Sequence, residues 1–124
     1  MSRLDAIALL PRLPALNFAR SQRFYLDLGF RCVWANATQA RFECGATAFL
    51  LGDDYMAVVA ENTRVQLEVR DVDAWWSHVH DSRLADIHDV RLGPVDTLAD
   101  GARAFTLTDP SGVLWRIVQR PAAD

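Results

Sequence analysis

Asn17-Phe18-Ala19-Arg20-Ser21-Gln22-Arg23-Phe24-Tyr25-Leu26-Asp27-Leu28-Gly29-Phe30 reads as one helix with both ends marked. Asn17 is a natural N-cap, because its side-chain oxygen accepts from the free amides of the first turn. Phe18, Phe24, Tyr25 and Leu28 supply the apolar positions, and Gly29 suits the left-handed residue that ends a helix. Outward from this stretch, residues 7–10 form an apolar run that predicts a strand before the helix. Residues 30–34, 39–44 and 47–51 predict three strands after it, with Gly45 at the tight turn between the last two. Gly52-Asp53-Asp54 ends the unit.

The second half repeats the order. Val65, Leu67 and Val69 alternate with Arg64, Gln66 and Glu68, the pattern of a half-buried strand. Asp71 caps a helix whose Val72, Trp75, Trp76 and Val79 form one apolar stripe. A short strand is expected around residues 90–92, a loop over 94–101, and strands over 104–108 and 113–118. The last two are joined by Asp109-Pro110-Ser111-Gly112, where Pro110 fits the second turn position and Gly112 can take a positive φ. The final strand carries a charge, Arg116, in its middle. Residues 55–63 read as a linker of ambiguous structure.

The duplication implies an α+β domain over residues 1–124, built from two βαβββ modules, about 1–55 and 62–120. Each module has one apolar sheet face that it cannot hide alone, so helices are expected on the outer face. The two sheets then form an open, curved trough, with a ligand site at a module or subunit boundary.

A chain of 124 residues, 51% hydrophobic and with a formal net charge of -3, suits one soluble globular domain. It has no basic run, which argues against nucleic acid as a partner. It has no apolar stretch of membrane-spanning length. The opening apolar stretch is too short for a signal peptide and Pro11 ends it, so a cytoplasmic location is expected. Cys32 and Cys44 fall on consecutive strands of one hairpin but out of register, which predicts free thiols rather than a disulfide.

The stretch 17–30 resembles the first-helix signature of the glyoxalase/bleomycin-resistance/extradiol-dioxygenase (vicinal oxygen chelate) superfamily, usually Asp-Leu-x-x-Ser-x-x-Phe-Tyr-x-x-Leu-Gly-Phe. Residues 68–74 resemble the opening of that superfamily's second module. Residues 109–116 resemble its close, Asp-Pro-x-Gly-Asn-x-x-Glu. In metal-dependent members, four inward side chains hold a divalent ion. The resemblance places those positions at Leu10, Leu50, Arg64 and Arg116. Leucine has no donor atom, and guanidinium has no acceptor. A one-position slip offers at best one hydroxyl, Thr63. His78 and His80 sit two apart on a helix and face different ways, and His88 falls in a loop; all three read as surface residues. No metal and no other cofactor is therefore expected.

Arg116-Ile117-Val118-Gln119 and Leu13-Pro14 are similar to the bleomycin-resistance branch. That resemblance implies a metal-free homodimer that sequesters a bulky aromatic or cationic compound in an interface groove, giving antibiotic resistance without turnover. The expected ligand-binding residues are Trp34, Leu50, Arg64, Arg116 and Asp100. Trp34 either stacks on a flat ligand or packs at a strand end. Trp115 alternates with Arg116 and should face the helices, while the facing of Phe42, Phe49 and Phe105 stays open. Arg64 and Arg116 either clamp a carboxylate or phosphate, or pair with Glu68, Glu43 or another acid. Asp100 replaces an aromatic that relatives carry before Gly101; it either meets a cation at the groove mouth or serves the turn. Two other functions compete: a glyoxalase-like lyase or isomerase with an altered site, and a scaffold with an empty trough. No catalytic residue is assigned, since Glu43 and Glu68 show no evident partner.

Overall fold

The structure, a computed structural model, describes residues 3–122; the two residues at each end of the expected domain lie outside them. In chain order the elements are β1 Arg12–Pro14, α1 Phe18–Leu28, β2 Arg31–Ala35, β3 Gln39–Cys44, β4 Thr47–Gly52, α2 Ala57–Asn62, β5 Arg64–Glu68, α3 Val72–Asp81, α4 Leu84–His88, β6 Asp96–Thr97, β7 Arg103–Thr108 and β8 Leu114–Gln119. They form two four-stranded sheets, ordered β1-β4-β3-β2 and β5-β8-β7-β6. In each sheet the first strand runs parallel to the last, across the helical crossover, and the other pairs are antiparallel. The α+β architecture with two βαβββ units is thus present, and neither sheet closes into a barrel.

The two helices that open each unit are set by their caps. Asn17 Oδ1 accepts from the Arg20 amide at 3.1 Å, and Asp71 Oδ1 accepts from the Ala74 amide at 3.0 Å. Gly29 ends α1 at φ +125°, a conformation a side chain would resist. Two residues before each cap, the same bond recurs: the Ala15 amide donates to Gly52 O and the Val69 amide to Val118 O, both at 2.8 Å. This internal match makes Leu10 the counterpart of Arg64, Arg12 of Gln66, and Leu50 of Arg116.

Several local expectations are corrected. The first strand lies at Arg12–Pro14, not at residues 7–10. Leu50 N donates to Pro11 O, but Pro11 has no amide to return, so the parallel ladder cannot extend back through it. Ile7 and Leu9 are left 99% and 91% exposed. The linker holds a short helix, α2, which buries Ala60 in the core. The expected strand at 90–92 reduces to a single bridge, Leu92 to Leu107, and the loop over 94–101 contains β6. The two cysteines are free, with Cys32 opposite Phe42 and Cys44 opposite Thr47.

One buried cluster joins both units, and it settles the open facings: Phe42, Phe49 and Phe105 all point into it, as does Trp115. Tyr25 is at its centre. Its ring lies 4.8 Å from Phe49, 5.0 Å from Phe24 and 5.5 Å from Trp115, centroid to centroid. Its hydroxyl donates to Asp109 Oδ2 at 2.5 Å and accepts from Trp115 Nε1 at 3.0 Å. Asp109 Oδ1 in turn accepts from the Ser111 and Val113 amides, both at 2.9 Å. Helix α1 of the first unit is thereby tied to the turn and last strand of the second.

Tyr25→Phe leaves the Trp115 N–H and one Asp109 oxygen without a partner, so it should cost about 2 kcal/mol in urea unfolding. A cost near zero would show that water replaces the hydroxyl. Burial holds the Asp109 carboxyl above its ordinary 3.8, against hydrogen bonds from Tyr25, Val113, Ser111 and Gly112 that pull it down. A group raised in the folded state contributes fully below its unfolded pKa, and the contribution is lost as pH rises through the folded one. The stability difference between the parent and Asp109→Asn should therefore shrink as pH climbs from 3.8, then level off.

Candidate functional site

The second sheet has one face in the main core; the other is covered at Ala104 and Val118, which pack with Ala102 and Leu98, and is open around Arg116. Val65, Leu67, Trp115, Ile117, Phe105 and Leu107 turn inward. Strand alternation therefore sends Arg64, Gln66, Arg116 and Thr106 to the other face. Register places Gln66 beside Arg116 and Arg116 beside Thr106, with Arg64 beside Leu114. Arg64 and Arg116 are thus diagonal neighbours, within reach of one another's long side chains. With Val65 and Leu114 these residues line a hollow of about 380 Å³.

Among the described residues no acidic side chain lines this hollow. Neither arginine makes an ion pair or a side-chain hydrogen bond among the described residues, and neither do the Gln66 and Thr106 side chains. The partners suggested by the sequence are not used: Glu68 lies diagonal to Arg116 on the same face but makes no ion pair with it, and Glu43 binds Arg31 at 3.1 Å and Arg41 at 2.9 Å.

The first sheet differs. Its corresponding row runs Trp34, Arg41, Leu50, Arg12 across four strands. Trp34 follows a register shift in β2 and is 42% exposed, while Leu50 is half-buried. Here the cations are matched. Arg41 is held by Glu43, and Arg12 by Asp54 at 3.0 Å and by Gln39 at 2.6 Å. Arg12 in turn draws the Asp54 carboxyl below its ordinary value, chiefly by hydrogen bonding. The Arg64/Arg116 hollow is lined by the second sheet alone, so Trp34 and Leu50 do not join it within one chain.

Asp100 does not line the hollow either. Its carboxylate accepts from the Ala102 amide at 3.0 Å and pairs with Arg120 at 3.3 Å, so it serves the turn before β7. His88 is also corrected. It ends α4 rather than lying in a loop, is only 5% exposed, and meets Asp27 Oδ2 through Nε2 at 2.7 Å. With the Phe24 ring at its edge and Arg20 donating to its carbonyl, it joins α1 to α4. Leu84 and His88, four apart on α4, turn to the same side, a spacing visible in the sequence.

An apolar cleft of about 450 Å³ lies where the two units meet. Phe30 and Phe49 line it from the first unit, and Val65, Leu67 and Trp115 from the second. The sequence pointed to a site at a module or subunit boundary but named none of these lining residues as ligand-binding.

The positions where this fold can carry a metal do not fit one here. Leu10, just before β1, and Leu50 offer no donor atom, and Arg64 and Arg116 are permanent cations. Among the described residues no group of three or more His, Cys, Asp or Glu side chains is placed to hold an ion. No described helix is long and apolar enough to cross a membrane.

No protein-family profile matches the chain, and no curated protein matches it. Solved structures do. A bleomycin-binding protein from bleomycin-producing Streptomyces verticillus, complexed with copper(II)-bleomycin, is 25% identical over 96% of this chain and 99% of that one, with a TM-score of 0.76. A bleomycin-resistance determinant encoded on the transposon Tn5 is 20% identical over 94% and 100%, with a TM-score of 0.74. A lactoylglutathione lyase from Agrobacterium tumefaciens is 16% identical over 93% and 95%, at 0.69. The chain has the glyoxalase/bleomycin-resistance fold, and the resemblance read from its helix and turn motifs stands at the level of that superfamily.

Equilibrium dialysis against Zn²⁺, Ni²⁺ and Mn²⁺, followed by elemental analysis, should find no stoichiometric metal. One tightly held ion per chain would mean that donors other than these four positions build a site.

Proposed function

We propose that this protein is a metal-free, small-molecule-binding protein of the bleomycin-resistance type. It sequesters a bulky aromatic or cationic compound rather than transforming one. The observation that supports this most is the donor-free set Leu10, Leu50, Arg64 and Arg116 at the positions where relatives bind metal. The trough geometry is kept and the Lewis-acid chemistry is removed. Structural neighbours are seen in complex with bleomycin, which suits the same reading.

The groove is assigned to a homodimer. Each chain presents two open half-sites, one with Trp34 and Leu50 and one with Arg64 and Arg116, that do not share a cavity. A second copy brings the first sheet of one chain over the second sheet of the other. An arm with Ile7 and Leu9 almost fully exposed supports this, since such apolar surface is unfavourable on a monomer. The free, partly buried thiols of Cys32 and Cys44 suit the cytoplasm.

Titration of metal-free protein with bleomycin and a panel of aromatic compounds, followed by tryptophan fluorescence, tests this reading. Saturable quenching that is lost in Trp34→Ala is expected, together with a dimer in sedimentation equilibrium. A flat response across the panel would overturn binding as the function. Turnover of a hemithioacetal would favour the lyase alternative.

A further inference from the structure

We propose that the Arg64/Arg116 hollow is an anion site, and that the sequestered compound carries a carboxylate or phosphate group seated there. This rests on the reading of the open sheet faces as a small-molecule groove, and it names the chemistry at one end of that groove.

Two guanidiniums face one hollow from adjacent strands, flanked by the Gln66 amide and the Thr106 hydroxyl. Among the described residues none of the four side chains has a partner, and no carboxylate lines the space. Arg12, Arg31, Arg41, Arg83, Arg103 and Arg120 each have a carboxylate within ion-pair distance. Arg23, Arg70 and Arg91 also stand outside the ion pairs of the described residues, so lacking an acid is not by itself unusual. Arg64 and Arg116 differ in lining one hollow together.

Like charges at diagonal positions repel, so the arrangement gains nothing for folding. It gains when an acid bridges the pair, because guanidinium donates in a fork that matches two oxygens of a carboxylate or phosphate. Gln66 and Thr106 can then satisfy remaining lone pairs, and Leu114 supplies an apolar floor. The charge excludes a cationic group at this end. A cationic or aromatic portion belongs toward Trp34 and Leu50 of the other half-site.

Isothermal titration of the intact protein with 2-naphthoate, 2-naphthyl phosphate, neutral 2-naphthamide and 2-naphthylmethylamine tests the assignment. The two acids should bind saturably, and their order tells which anion the site prefers. The amide should bind about tenfold more weakly or worse, the loss of one charge-assisted contact. Arg64→Met and Arg116→Met should each weaken the acids about tenfold without affecting the amide, and affinity for the acids should fall with salt. The double variant should melt at or above the parent temperature, which separates loss of binding from loss of fold.

Equal binding of acid and amide, tighter binding of the amine, or full affinity for the acids in the double variant would overturn the anion site. Each of those results would leave small-molecule binding intact. Failure of all four probes and of bleomycin to bind would overturn the anion site and the binding function together.

Discussion

The hydroxyl of Tyr25 is the contact on which the rest of the arrangement depends. It is buried in an aromatic cluster, where an unpaired polar atom is costly, and both of its hydrogen bonds reach into the second unit. Burial first, and then the neighbouring Asp109, push its ionisation well above the ordinary tyrosine value, so it stays a neutral donor. Trp115 is held inward by donating to this hydroxyl. Once Trp115 points in, strand alternation leaves Arg116 nowhere to point but out. The open cation of the candidate site is thus a geometric consequence of a hydrogen bond on the opposite side of the same strand. Ser111 strengthens the seam, its hydroxyl accepting from the Leu16 amide at 2.9 Å.

The two units share topology but not charge logic. Across the first sheet, Arg12 and Arg41 stand in register beside Leu50, each matched by an acid of the same unit. Across the second, Gln66 and Thr106 stand beside Arg116, Glu68 lies diagonal to it without pairing, and no described acid lines the hollow. Exposed ion pairs contribute little to stability, so the pairs on the first sheet matter less as braces than as neutralisation. They make that face a nearly uncharged wall carrying Trp34, while the second face keeps a net positive spot. Duplication of one fold has given two walls of unlike character.

The elements with local chemical punctuation were legible in the sequence. Asn17, Asp71 and Gly29 mark helix ends through bonds made within a few residues, and they do so in the structure. Trp115 and Arg116 were separated by parity alone. Three features depended on distant partners and were less legible. The run at residues 7–10 is as apolar as a strand, but a strand needs a ladder, and Pro11 interrupts the one available. His88 looked exposed because its partner, Asp27, is 61 residues away. Whether Arg64 and Arg116 were matched turned on where Glu43 points, and Arg31 and Arg41 flank it in space.

Position 116 carries the functional argument to its end. The superfamily's pattern closes on a glutamate, whose oxygens converge with three other donors on a cation. Arginine on the same strand, facing the same way, keeps the direction of the side chain and reverses its sign. The diagonal partner, Arg64, stands at another of the positions the resemblance assigns to a ligand and is also a cation, so two of the four positions carry permanent positive charge. A site that has lost donors by drift would be expected to fill with apolar or mixed residues, as Leu10 and Leu50 do on the first unit. Two guanidiniums with flanking amide and hydroxyl donors are a different outcome, because an anion can bridge them through charge-assisted hydrogen bonds. On the proposed reading, the second unit offers its hollow to an anion where a metal-binding member would hold a cation.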